Sequence, residues 1–218
     1  MKQQTLIDYY SRRAHEYEHV YHKPERQADL LRLKAHLRCL LKGRDVFELA
    51  CGTGFWTAAI ADGVESILAI DVSKEVLDIA RSKNLDSARV SFARGDALNL
   101  TGLEGTFTAG FAAFWWSHVP VAKLAPFLEG FHSVLLPGAR VTFADNRFVA
   151  GSSTPIYRTD ETGNTYQLRH LQDGSSYEVL KNFPTAGPLF DAVRPYSDTV
   201  DLVEFDYFWC LTYDLKRV

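Results

Sequence analysis

Residues Val46–Thr57 read V-F-E-L-A-C-G-T-G-F-W-T. A short apolar run reaches an acid, passes through a turn with two glycines, and enters a stretch suited to a helix. Only a strand feeding a tight turn into a helix needs that order. Gly52 and Gly54 permit the sharp turn and remove the Cβ atoms that would hold a ligand off the backbone. The helix that follows points free N–H groups and the positive end of its dipole at whatever sits there. The stretch is therefore expected to cradle a nucleotide-bearing cofactor.

Two spacings compete for it. A dinucleotide turn reads G-x-G-x-x-G, its last glycine letting helix and strand pack closely. Here the third position is Thr57, and Phe55 and Trp56 crowd the place of a pyrophosphate. The order acidic-x-G-x-G-x-G fits better, as Glu48-x-Ala50-x-Gly52-x-Gly54. It resembles motif I of the class I S-adenosylmethionine-dependent methyltransferases, with Ala50 in place of the first glycine. The resemblance implies S-adenosylmethionine as cofactor and S-adenosylhomocysteine as product. It places Glu48, Ala50, Gly52, Gly54 and Trp56 around the cofactor.

Three further stretches accompany the turn. S-I-L-A-I-D (Ser66–Asp71) is an apolar run ending in an acid roughly 20 residues after Gly52, where a carboxylate meets ribose hydroxyls in Rossmann-like folds. Asp71 and the adjoining Val72 are thus cofactor-side candidates. R-G-D-A (Arg94–Ala97) resembles motif III of the same enzymes, which implies that Asp96 takes the adenine amino group and Ala97 admits the ring. The N-terminal Tyr10, Ala14, Tyr17 and Tyr21 share one face at helical spacing. They resemble the Y-x-x-x-A-x-x-Y entry of many small-molecule methyltransferases, whose first helices close over the cofactor. Tyr10, Tyr17 and Arg26 are the candidates for its methionine carboxylate; an aromatic stripe that caps the core is the competing reading.

Composition sets limits. The 218 residues suffice for one α/β domain with a full core. A net charge of −3 gives no general pull toward nucleic acid, no basic groove stands out, and no apolar run nears the length of a membrane span, so neither partner is expected. Cys39, Cys51 and Cys210 form no metal-spaced pair and suggest a reducing cytoplasm. No metal is expected. The polar run from Met1 to Arg13 predicts no signal peptide.

The periodicity predicts helices over 1–23 and from Pro24 to about Leu41, then strands at 46–50, 66–71, 90–94, 106–114 and 139–145. L-L-P-G (Leu135–Gly138) resembles the superfamily's turn before strand five, and Pro120 is expected to open the preceding helix. Thr165–Leu171 and Ser176–Leu180 flank a turn cluster and predict a β-hairpin. Strands at 199–205 and 207–213 close the chain. The fold class is α/β, a Rossmann-like, seven-stranded, mostly parallel sheet with an antiparallel last strand. Its parts would be a helical cap (1–42), a cofactor core (43–147), an inserted hairpin on the substrate side (148–182) and a closing unit (183–218) of one domain. The aromatic tail Y-F-W-C-L fits either core or the interface of a homodimer.

Strand carboxyl ends hold ligands in open α/β sheets, so Trp115, Trp116, Ser117 and His118 are expected to face the site. Methyl transfer from a sulfonium is a direct displacement, and apolar aromatic walls suit a centre that loses charge. His118 is the candidate base for a protonated acceptor, against a purely structural role at the strand-to-helix junction. Asp145, Tyr157, Tyr166, Arg169 and Tyr177, with Trp116, are the candidates on the side of a small-molecule acceptor; Arg169 suits a carboxylate. The alternatives are a cofactor-binding regulator without turnover and a nicotinamide-dependent oxidoreductase.

Overall fold

A computed structural model describes residues 9–100, 102, 106–171 and 173–217. The first residues of the helix expected over 1–23 lie outside these. A helical turn at Tyr9–Arg12 passes into a 3-10 segment, Ala14–Tyr21, rather than a continuous α-helix. A second short 3-10 turn, Pro24–Arg26, leads into α1, Gln27–Leu41. Leu30, Leu33, Leu37 and Leu41 recur at helical spacing on α1 and are buried.

The main sheet holds β1 (Asp45–Leu49), β2 (Ser66–Asp71), β3 (Val90–Arg94), β4 (Phe107–Ala113), β5 (Leu135–Asn146), β9 (Val200–Glu204) and β10 (Phe208–Asp214). Their order is β3-β2-β1-β4-β5-β10-β9. The first five run parallel, and β10 is antiparallel to both of its neighbours. This is the expected seven-stranded sheet. Val46 and Phe47 are neighbours on β1 yet belong to different clusters of buried side chains, because successive strand residues point to opposite faces. One cluster takes α1 and α2 (Phe55–Ile60); the other takes α4 (Leu124–His132) and α5 (Ala186–Val193). Helix α3, Lys74–Ser82, starts at Ser73, whose hydroxyl accepts from the Val76 N–H.

The chain crosses from β3 back to β4 beside β1, so the strand order reverses between β1 and β4. Crevices at the carboxyl ends of strands flanking such a reversal are where open α/β sheets take ligands.

The details differ from expectation in three places. L-L-P-G is no turn before a strand but part of β5. The pairing passes from Phe107–Leu135 to Ala109–Arg140, so the intervening β5 residues bulge out. Pro137 has no N–H for the ladder and Gly138 sits at φ 77, which bends the strand without ending it. Pro120 opens no α-helix. The chain makes 3-10 turns at Trp116–His118 and Val121–Lys123 first, and the Asn164 side chain caps the Val121 N–H at 2.8 Å. The inserted hairpin, β7 (Thr165–His170) and β8 (Ser176–Leu180), gains a third strand, β6 (Arg158–Thr159), and forms a separate sheet. Two residues are too few to show a strand's alternation.

Candidate functional site

The glycine turn lies above β1. Ala50, Gly52 and Gly54 all take left-handed conformations, at φ 50, 56 and 73. For Ala50, a residue with a Cβ, that costs roughly 1 kcal/mol. Phe114, at the end of β4, is also left-handed, at φ 59. Both strained residues line a cavity over the β1/β4 switch point. Backbone strain of this kind collects where a ligand must be met.

Asp71, at the end of β2, ties the turn together. Its two carboxylate oxygens accept from the Gly52 and Ser73 N–H groups, each at 2.9 Å. Burial raises its pKa, opposed by these backbone bonds. Val72 lies beside it, and Asp96 and Ala97 follow β3 on the same wall. Asp96 accepts from the Leu98 N–H at 2.9 Å. A Cβ on Gly52 would point at the Tyr17 ring, 3.9 Å away, so the glycine keeps a slot open beneath that tyrosine. Tyr10, Tyr17 and Trp115 complete the cofactor-side residues that line this cavity.

Four residues expected beside the cofactor lie outside it. Glu48 is sealed within the sheet, where burial and the nearby Asp71 charge push its carboxyl up to about 8, so it is mostly protonated at neutral pH. Trp56 packs behind Phe114 and donates to the Tyr21 hydroxyl at 3.1 Å. Arg26 faces a second cavity. Gly54 serves packing: a Cβ there would come within 3.0 Å of the Ala80 Cβ and 3.3 Å of its Cα. Gly54→Ala is therefore expected to cost about 3 kcal/mol, combining left-handed strain with overpacking against α3. Thermal unfolding should register it as a midpoint about 10 °C lower.

The second cavity, about 350 Å³, adjoins the first. Tyr10, Tyr17, Phe114 and His118 line both. His118 bonds the Leu180 carbonyl through Nδ1 at 2.7 Å, so that nitrogen carries the proton. Its Nε2 then accepts from the Tyr10 hydroxyl at 2.8 Å. Burial, and then the nearby Lys181 charge, push its pKa down to about 3. His132 is also held neutral, its pKa lowered by burial to about 4.

Both histidines take up protons on unfolding at an ordinary pKa near 6.5. A depressed folded pKa gives stability that is present above about 6.5 and is lost as pH falls toward the folded value. Urea unfolding should therefore lose roughly 1–2 kcal/mol per histidine between pH 7 and pH 5. His132→Asn should shrink that loss.

The acceptor-side candidates divide. Arg169 lines the second cavity, its Nε donating to Gln167 Oε1 at 3.1 Å. Asp145 is fully buried behind the wall, accepting from Lys181 Nζ at 2.9 Å and the Ser117 N–H at 3.0 Å. Trp116 faces away, packing on Phe143 and Trp209 in the core. Tyr166 supports the inserted sheet, donating to Asp160 under the Arg158 guanidinium. Tyr177 packs on Tyr9, and Tyr157 is 62% exposed; neither lines either of these two cavities. The second cavity also holds Arg13, Lys23, Gln167 and Lys181, which no sequence motif marked. No described helix is long and apolar enough to cross a membrane.

Residues 46–138 match a family described as a methyltransferase domain. Among curated proteins, a demethylmenaquinone methyltransferase of Staphylococcus epidermidis is 30% identical over 103 residues, 46% of this chain and 42% of that protein. One from Lactococcus lactis subsp. lactis is 29% identical over 61% of this chain and 53% of its own length. The chain thus spans about half the length of these relatives. Among solved structures, the DhpI–SAH complex superimposes with a TM-score of 0.81 at 28% identity, covering 99% of this chain and 97% of that one. The DhpI–SAM–HEP complex gives 0.78 at 27% identity, covering 96% of each. The sheet order and the glycine turn agree with these matches, and together they are consistent with the class I S-adenosylmethionine-dependent methyltransferase superfamily.

Proposed function

We propose that the protein transfers the methyl group of S-adenosylmethionine to a small-molecule acceptor by direct in-line displacement. The observation that carries this is the pair of adjoining cavities at the switch point. One has the glycine turn as its floor and acids at the ends of β2 and β3; the other lies across Phe114, His118 and two tyrosines. The first fits the cofactor. Gly52 leaves a slot that a Cβ would fill, Asp71 suits ribose hydroxyls, and Asp96 with Ala97 suits adenine. Bound there, the cofactor would supply an electrophilic sulfonium methyl that leaves behind a neutral thioether.

The chain's own part is to hold, align and dry the reactants. Phe114 and Trp115 give an apolar wall to a centre that loses charge. Tyr10 and Tyr17 cover both cavities and exclude water from the junction. His118 supports the roof: its proton is committed to the Leu180 carbonyl and its lone pair to Tyr10. A pKa near 3 makes it a poor base for a neutral hydroxyl. The second cavity suits a small acceptor rather than a polymer. Three free cysteines, two of them buried, favour a cytoplasmic setting.

Calorimetric titration with S-adenosylhomocysteine beside NADH tests the reading. Micromolar binding of the first ligand alone is expected. Binding of NADH in its place would move the protein to the dehydrogenases.

A further inference from the structure

The wall of the second cavity is cationic. Arg13, Lys23, Arg26, Arg169 and Lys181 line it, and no carboxylate does among the described residues. The whole chain carries a net charge of −3, so this concentration is no by-product of a basic surface. Lys181 has a buried counter-charge in Asp145, at 2.9 Å. The other four form no ion pair among the described residues. Arg13 donates to the Tyr9 hydroxyl at 2.9 Å. Arg26 donates to the Ser152 hydroxyl at 2.8 and 3.0 Å and to Asn146 Oδ1 at 3.2 Å. Lys23 meets the Ser152 carbonyl, and Arg169 gives two N–H bonds to Gln167 Oε1. Glu25 takes the Ser152 hydroxyl at 2.7 Å but does not line the cavity.

Arg26 is 8% exposed and Lys181 5%. Burial lowers the pKa of Lys23, Arg26 and Lys181, and basic neighbours lower each further, against the opposing charge of Glu25 on Lys23 and Arg26 and of Asp145 on Lys181. Five cations gathered on one wall, two of them buried and four without an ion pair, are costly to hold together. A bound anion offsets that cost through charge-assisted hydrogen bonds, and two guanidinium forks suit the oxygens of a carboxylate or phosphoryl group.

We propose that the acceptor is a small organic acid whose carboxylate or phosphoryl group is held in this cavity by Arg26 and Arg169, with Lys23 and Lys181 beside them. This rests on the reading of the second cavity as the acceptor site. Gln167, 1% exposed, fixes the Arg169 fork. An uncharged acceptor leaves these cations unanswered.

The test uses protein saturated with S-adenosylhomocysteine, after that binding has been measured. Methylphosphonate and propionate are titrated by calorimetry beside their uncharged counterparts, dimethyl methylphosphonate and propionamide. Saturable binding of at least one anion, without its counterpart, is expected, and the anion that binds names the group. Arg169→Gln and Arg26→Gln should each weaken it at least about tenfold, with S-adenosylhomocysteine affinity within about twofold of wild type. Two variants guard against one that fails to fold, which melting curves reveal. Equal binding of the uncharged counterparts overturns the proposal, as does the absence of anion binding in protein that takes up S-adenosylhomocysteine. If S-adenosylhomocysteine itself does not bind, the methyltransferase reading falls, and the same titrations on the unliganded protein still decide whether the cavity selects anions.

Discussion

Lys181→Met is expected to lower the unfolding free energy by about 3–5 kcal/mol. The lysine is 5% exposed and Asp145 is fully buried. Removing the cation leaves a carboxylate in the interior with only the Ser117 and Asn146 N–H groups to hold it. The pH dependence should change sign. In the native protein Asp145 is opposed by burial, yet Lys181 and His118 hold its pKa below the usual carboxylate range. Its contribution is then present above an unfolded pKa near 4 and lost as pH falls through the lower folded value. Without Lys181, burial raises the folded pKa above the unfolded one. Stability is then greatest below about pH 4 and is lost as pH rises through the raised value. The penalty in the variant should thus be larger at pH 7 than at pH 5. Urea unfolding at both pH values checks this, and Lys181→Met combined with Asp145→Asn should recover much of the loss. A small loss that is the same at both pH values would mean that the pair does not hold this wall.

Asp71→Ala should weaken S-adenosylhomocysteine binding by about 10²–10³-fold. In the proposed cofactor site this carboxylate accepts from ribose hydroxyls, and charge-assisted bonds of that kind contribute roughly 1.5–3 kcal/mol each. It also holds the glycine turn through the Gly52 and Ser73 N–H groups. Its loss leaves two donors unpaired, so a stability cost of about 2 kcal/mol should accompany the affinity loss. Asp71→Asn separates the effects: an amide oxygen can still accept from one turn N–H, but it carries no charge. Calorimetry and melting curves on both variants give the two quantities. A folded Asp71→Ala protein that binds within about threefold of wild type would place the ribose elsewhere.

Much of the first cavity, proposed for the cofactor, was legible because local rules write it. A sharp turn above a parallel strand needs left-handed residues, and Gly52 and Gly54 announce them. Acids that end apolar runs, such as Asp71, fall at strand ends by pattern alone. The acceptor half follows no such rule. Arg13, Lys23, Arg26, Gln167, Arg169 and Lys181 come from the N-terminal segment and from the inserted sheet and its exit; the sequence singles out Arg169 for an acceptor and Arg26 for the cofactor, and the other four read as ordinary polar residues. Only the packing of those segments over the ends of β4, β5 and β10, at Phe114, Asn146 and Phe208, brings them together. Trp115 and Trp116 show how fine the limit is. The 3-10 turn at Trp116–His118 keeps Trp115 and His118 on the cavity and rotates Trp116 into the core. Residue order fixes no such rotation until the turn type is known. L-L-P-G was misread for a related reason. Proline and glycine mark a departure from regular pairing, and a bulge inside a strand satisfies them as well as a turn does.

The inserted sheet hangs between two strands that pair with each other, β5 and β10, through residues 140–146 and 208–214. Everything between them is a loop closed by that pairing. Loop-closure entropy rises only by about 0.6 kcal/mol for each doubling of length. Segments can therefore be added, lost or rebuilt here at small cost to folding, while β1 to β4 and their cofactor turn stay as they are. Much of the second cavity's wall, from Ser152 to Phe183, lies in this cheaply varied stretch. On the proposed assignment of the two cavities, acceptor preference can thus drift among descendants of one ancestor without disturbing the scaffold that presents the methyl donor.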